Sequence, residues 1–252
     1  MVTLTGVRSN STMISTSVAQ AASRPDDLSD NAHRQLIGYI GLVLPFFLIL
    51  IAVIRDGVER WESLESISAY YYTGAAAAFV GMLVALALFL FTYRGYKNKY
   101  SWADRLAAKT AAVASVVVAF FPTKAPAGVP ALSWWTPTTG VLHHVAATVL
   151  FTMFAIFALW LFRLTADNEN PPTDKQWRNK LYLACGIVIV ACIAWAGLNG
   201  LHGGPIFWPE SIALIAFAVS WLVKGYALKT ILGTAQSLLR RHSEPAGADE
   251  VI

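Results

Sequence analysis

The chain has 252 residues, 56% of them hydrophobic and only 13% charged, with a mean hydropathy of +0.52. Soluble domains carry roughly 25% charged residues, so this composition excludes an ordinary water-soluble domain and points to an all-α polytopic bundle folding in lipid, where six spans of about 20 residues use about half the chain. The net charge of +4 does not mark a nucleic-acid binder, because the Lys and Arg fall in short loops between apolar runs and form no continuous basic face.

Residues 1–34 are polar, lack the apolar core of a cleaved signal peptide, and read as a disordered cytoplasmic tail. The first apolar run, 36–54, contains Pro45, which a membrane helix tolerates where neighbours or water satisfy the freed carbonyl. The second, 69–93, opens on Tyr70, Tyr71 and Tyr72, aromatic rings with polar tips that favour the headgroup level. Its Gly74, Ala78 and Gly81 predict a small face against which another helix packs closely. The third run, 106–122, begins near Lys109, which can snorkel to the interface. A loop containing Trp134 and Trp135 follows, and then runs at 140–162, 181–198 and 206–223, the last with Pro209 in its first turn. The six-helix domain spans 35–226, and 227–252 reads as a second cytoplasmic tail that starts with an amphipathic extension and ends disordered. Cys185 and Cys192 share one helix with about 10.5 Å of rise between them, so they cannot pair and act as apolar fillers.

Orientation follows from the positive-inside rule. The N-terminal tail, the second and fourth loops with their helix ends, and the C-terminal segment hold all but three of the 19 Lys and Arg. The opposite loops hold Arg55, Arg60 and Lys124. That split places both termini in the cytoplasm and the protein in the inner membrane, and an even number of spans requires the same. No internal repeat with paired broken helices is present, which disfavours an inverted-repeat transporter.

On this topology the unusual polar residues gather at the outer side. Asp56, Glu59, Glu62 and Glu65 are followed by Ser66 and Ser68; His143 and His144 lie in the first turn of the fourth span, His202 before the sixth, and Glu210 within it. Neutral imidazoles with a carboxylate suit zinc, and three such ligands plus a water would make a hydrolytic centre. Against this, His143 and His144 lie about 100° apart around one helix, so that at most one points well into a shared site, and no HExxH or HxxxH pattern occurs. Glu210 directly after Pro209 is also what the helix dipole favours in a first turn. Between a metal site and plain interfacial residues lies a binding pocket: His144 shares a helical face with Gly140, Ala147, Thr148 and Ala155, and would join Ser66, Ser68, Tyr70 and Glu210 beneath the Trp134–Trp135 loop.

The stretch Ser66-Ile67-Ser68-Ala69-Tyr70-Tyr71-Tyr72 resembles the signature of a family of bacterial multi-pass membrane proteins of unknown function. The likeness extends through the run Phe120 to Thr123, a His at 143 or 144, Trp208-Pro209-Glu210, and Ser220 to Gly225, and covers about residues 36 to 226. More remotely, the serine-bearing entry into a six-helix bundle is similar to the DRAM and Sfk-type families, some of which are linked to lipid or membrane homeostasis. The ceramidase and progestin-receptor superfamily, with Ser, Asp and His at a zinc site, is a further comparison; this chain lacks its intramembrane Asp and its C-terminal paired His.

The reading is therefore a non-enzymatic membrane protein that binds a small or lipid-like ligand in an outward-facing polar pocket of Ser66, Ser68, Tyr70, His143, His144, His202 and Glu210. It needs no cofactor and no metal, contacts membrane lipid, and has no nucleic-acid partner. The alternatives are a metal-dependent membrane hydrolase acting on lipid, and a channel or secondary transporter. The span centres offer the last of these little beyond Ser115, Thr148 and Thr152.

Overall fold

The structure, a computed structural model, describes residues 25–57, 65–95, 99–164 and 173–226. Within them the chain forms six α-helices: α1 (Pro25–Asp56), α2 (Ala76–Thr92), α3 (Ser101–Phe120), α4 (Pro137–Leu159), α5 (Thr173–Leu201) and α6 (Phe207–Lys224). Two 3₁₀ helices, Ile67–Tyr72 and Leu161–Arg163, accompany them, and there is no strand among the described residues. Helices adjacent in sequence are adjacent in space, and α1 packs against α6 to close the ring.

Four helical segments are long and apolar enough to cross a membrane: Ser29–Asp56, Pro137–Arg163, Lys175–Leu201 and Phe207–Lys224. Their outward faces carry Val43, Phe46, Leu50, Val145, Ile187 and Leu198, all exposed. Large apolar side chains covering so much of a surface are what a lipid-facing bundle presents and a soluble one hides. Helix α2 is apolar but has 17 residues, about 26 Å of rise, and α3 carries Asp104, Arg105 and Lys109 in its first half.

Helix α1 begins at Pro25, eleven residues before the expected first span, and continues through Pro45. The second span is not one helix. Its first part is the buried 3₁₀ segment, and the α-helix starts only at Ala76. The break has a local cause. Thr73 donates its hydroxyl to the Tyr70 carbonyl at 2.8 Å and accepts the Ala75 N–H, while the Asp56 carboxylate at the end of α1 accepts the Gly74 N–H at 2.6 Å. An added Cβ on Gly74 would lie 2.6 Å from the Cβ of Arg55, so only glycine lets the chain pass this closely. Irregular backbone at membrane depth survives where protein buries it.

The small face expected of the second span is corrected at Gly81, while Gly74 does make a close approach and Ala78 packs against the core. Gly81 is exposed and an added Cβ there meets nothing within 4 Å; the buried face consists of Phe79, Leu83, Leu86, Ala87 and Leu90. Close packing of small residues occurs instead on α3, where Ala107, Ala108, Ala111 and Ala112 are buried and Ser115 donates to the Leu83 carbonyl at 2.9 Å. Another tight approach joins α5 to α4 at Gly186, whose added Cβ would fall 2.4 Å from Leu159.

The interior of the end bearing the C-terminus of α6 is closed by aromatic rings, beside which a cavity of about 720 Å³ is lined by Asp30, His33, Arg34, Tyr93, Arg94 and Arg105. Trp221 is fully buried with its ring centroid 5.1 Å from those of Tyr93, Phe157 and Phe162, and Phe217 stacks on Phe154 at 3.7 Å. Both cysteines are buried and free. The two tails, the loop with Glu59 and Glu62, and the amphipathic extension expected past Gly225 lie outside the described residues, apart from residues 25–34 and Tyr226.

Candidate ligand site

The opposite end is held together by backbone carbonyls and a few side chains. After α3 the chain runs extended through Phe121-Pro122-Thr123, and three consecutive carbonyls are taken by three different elements. Phe121 accepts from His143 Nδ1 at 2.7 Å, Pro122 from the Trp135 indole at 3.1 Å, and Thr123 from the Tyr72 hydroxyl at 2.7 Å. Helix α4 then starts on a capping box between Thr136 and Thr139 with Pro137 as its first residue, an arrangement that satisfies otherwise orphaned N–H groups. Trp135 lies over Gly140, where an added Cβ would meet its ring at 3.0 Å.

The 3₁₀ segment is clamped to α6 in both directions. The Glu65 carbonyl accepts the N–H groups of Ile206 and Phe207, and Glu210 Oε2 accepts the Ile67 N–H at 2.7 Å. Ser66 caps the segment by accepting the Ala69 N–H. These bonds fix Ser68, which is buried and hydrogen-bonded through Oγ to His143 Nε2 at 2.8 Å. A carbonyl can only accept, so His143 Nδ1 carries the proton toward Phe121; in the neutral ring Nε2 is then the acceptor and Ser68 the donor.

Ser66, Ser68, Thr123, His143, His144 and Glu210 line one cavity of about 290 Å³ together with Ala147, Phe151, Ile193 and Ala196. Helix α4 supplies both kinds of side chain, His143, His144 and Thr148 beside Ala147 and Phe151, while α5 supplies Ile193 and Ala196. Helices α4 and α5 touch at Gly186 and Leu159 and part toward Gly197, which borders the cavity and whose added Cβ would meet nothing within 4 Å. His144, Thr148 and Gly197 are exposed at its edge, so the cavity is open to the outside of the bundle where α4 and α5 border it. A smaller apolar void of about 30 Å³ adjoins it, sharing Ser68, Ala147, Phe151 and Glu210 and continuing inward to Leu44, Leu83 and Leu214.

Five of the seven residues singled out from sequence thus line one cavity. Tyr70 does not: it is buried at 1% exposure, with its ring 6.2 Å from Phe207. His202 is exposed and bonds the Leu198 carbonyl of its own helix end. The expected order of the adjacent histidines is reversed. His143 is the buried one, while His144 is exposed and donates back to the Gly140 carbonyl at 2.6 Å. Glu210 acts as more than a partner for its own helix dipole, because it holds the neighbouring segment's backbone. Among the described residues no group of three or more His, Cys, Asp or Glu is arranged to hold a metal ion.

Sequence reading missed two features. The run Phe120 to Thr123 carries a resemblance but no chemistry in its side chains; its role lies in its carbonyls. At the closed end Arg34, Asp104 and Lys224 are all buried, and Lys224 Nζ donates to the Phe162 carbonyl at 3.0 Å with the Phe162 ring 5.1 Å away. Asp104 and Lys224 sit in the terminal turns of their helices, where a long charged side chain ordinarily reaches water.

No protein-family model matches the chain, and no curated protein or solved structure is significantly similar to it.

Proposed function

We propose that the protein is a six-span protein of the inner membrane, both termini cytoplasmic, that holds a small amphipathic, lipid-like ligand in the cavity between α4, α5 and the 3₁₀ segment. The observation that carries this reading is the cavity's mixed lining: hydroxyls, imidazoles and a carboxylate together with Ala147, Phe151, Ile193 and Ala196, bordered by two helices long and apolar enough to cross a membrane. A lining that joins polar groups to apolar side chains suits a molecule with a polar head and an apolar part. Its polar head would face Ser66, His144 and Glu210, and its apolar part would lie along α5. Ligand sites in this size range are concave and mostly apolar with a few placed polar groups.

The six-span topology is supported by the distribution of Lys and Arg along the chain. It predicts that cysteines introduced at Trp134 and His202 react with an impermeant thiol reagent in intact cells, against a low background from buried Cys185 and Cys192. Reaction at Asn168 instead inverts the orientation. For the ligand, native mass spectrometry of the protein released from mild detergent is expected to show one retained lipid-sized adduct. Ala147→Trp, which places a large ring in the cavity, is expected to abolish it. Equal adducts in parent and variant would remove this cavity as the site.

A further inference from the structure

We propose that the cavity is also an acyl-transfer site, in which Ser68 is the nucleophile and His143 its general base, acting on a carboxylic ester of an amphipathic lipid. This rests on the ligand reading above and adds a reaction to it. The geometry is that of an activated hydroxyl: Ser68 Oγ is 2.8 Å from His143 Nε2, and the other ring nitrogen is anchored at 2.7 Å on the Phe121 carbonyl. That anchor fixes the tautomer in which Nε2 takes a proton, the role a third group plays in nucleophile–base–orienter sites. A serine and histidine that only satisfied each other in a core would be sealed. Here both line a cavity whose edge residues His144, Thr148 and Gly197 are exposed, and their separation is within the general-base reach of about 2.6–3.2 Å. Ser68 is also held on backbone bonded to a second helix through Glu65, Ile67 and Glu210, so its position does not depend on a loose loop.

The step balances without metal or redox partner. Ser68 Oγ attacks the acyl carbonyl while its proton passes to His143 Nε2. The tetrahedral adduct collapses, the bond to the leaving alcohol oxygen breaks, and His143 returns the proton to that oxygen. Water, deprotonated by His143, then cleaves the acyl-Ser68 ester to give the free carboxylic acid and the resting dyad. Ser66, whose oxygen accepts the Ala69 N–H, retains its own hydroxyl proton and borders the same cavity, which makes it the candidate donor to the developing oxyanion. Glu210 is a positioning residue, acting through the Ile67 backbone.

The test uses full-length protein in lipid nanodiscs, an alkyl fluorophosphonate probe and intact-mass analysis with peptide mapping. The expected result is a single covalent adduct on Ser68, absent in Ser68→Ala, and formed at least about 100-fold more slowly in His143→Gln, the scale of a lost general base. Because His143→Gln also alters a buried bond, its melting temperature is read alongside, and Ser68→Cys is treated with iodoacetamide in backgrounds with and without His143. A thiolate activated by the histidine alkylates faster only when His143 is present. No adduct on folded parent protein, an adduct elsewhere, or an alkylation rate of the Ser68→Cys variant that is independent of His143 overturns the proposal. Retention of a lipid adduct with no labelling sinks the acyl-transfer step alone, while loss of both sinks the binding reading as well.

Discussion

The two ends of the bundle both bury polar atoms and both use backbone carbonyls to satisfy some of them, but they differ in what surrounds those atoms. At the closed end Arg34, Asp104 and Lys224 are buried beside a cluster of Tyr93, Phe157, Phe162 and Trp221, whose rings fill the space between helices. At the other end the polar groups are satisfied by backbone: three successive carbonyls after α3, the N–H groups of Ile67 and Gly74, and the carbonyl of Glu65. Rings fill the space between the helices at the first end, and the cavity of about 720 Å³ beside them is lined by charged and polar groups such as Asp30, His33, Arg34 and Arg105, with no apolar wall of the kind Phe151, Ile193 and Ala196 supply at the other. Backbone bonds tie segments together at their edges and leave room between them for the cavity of about 290 Å³.

That division can be broken most severely at Trp221. Trp221→Ala removes a fully buried ring, and core truncations of this size cost about 3–5 kcal/mol. We expect a large fall in melting temperature in detergent; a parent-like melt would mean the closed end is not the stabilising one. Gly186→Leu should follow, since its side chain must displace Leu159 from 2.4 Å, at about 1–3 kcal/mol for overpacking. Glu210→Ala leaves the Ile67 N–H without its acceptor, a loss of about 1–3 kcal/mol if water cannot reach it, whereas Glu210→Gln keeps an acceptor and should be milder. If the two variants melt alike, the carboxylate's bond to Ile67 does not hold the segment. At the small extreme, Gly81→Leu adds a side chain to an exposed helix face and should change the melt little, within about 0.5 kcal/mol; a marked drop would mean α2 has a packing partner on that face.

The apolar helices were legible because hydropathy accumulates over a whole helix: the runs at 140–162, 181–198 and 206–223 lie, to within a residue at their ends, inside helical segments long and apolar enough to cross a membrane. What sequence did not fix was rotation. One residue is about 100° around a helix, so choosing His144 over His143, or Gly81 as a packing position, turns on neighbours that composition does not contain. The 3₁₀ break was hidden for a related reason, since it depends on Asp56 reaching Gly74 from another helix. The carbonyls of Phe121, Pro122 and Thr123 have no side-chain signature at all. By contrast Ser66, Ser68 and Glu210 were found because polar residues at helix ends stand out against an apolar background, and the bonds from Glu65 and Glu210 bring their segments together.

The central claim, that the open end receives an amphipathic ligand, is tested most directly by photo-crosslinking. A lipid carrying a diazirine in its acyl chain, incorporated into nanodiscs with the full chain, should insert into Phe151, Ile193 or Ala196 of the cavity wall. Ala147→Trp should suppress those adducts while leaving adducts on the outward residues Phe46 and Leu50 unchanged. Crosslinks confined to outward faces, or cavity adducts indifferent to Ala147→Trp, would contradict the account.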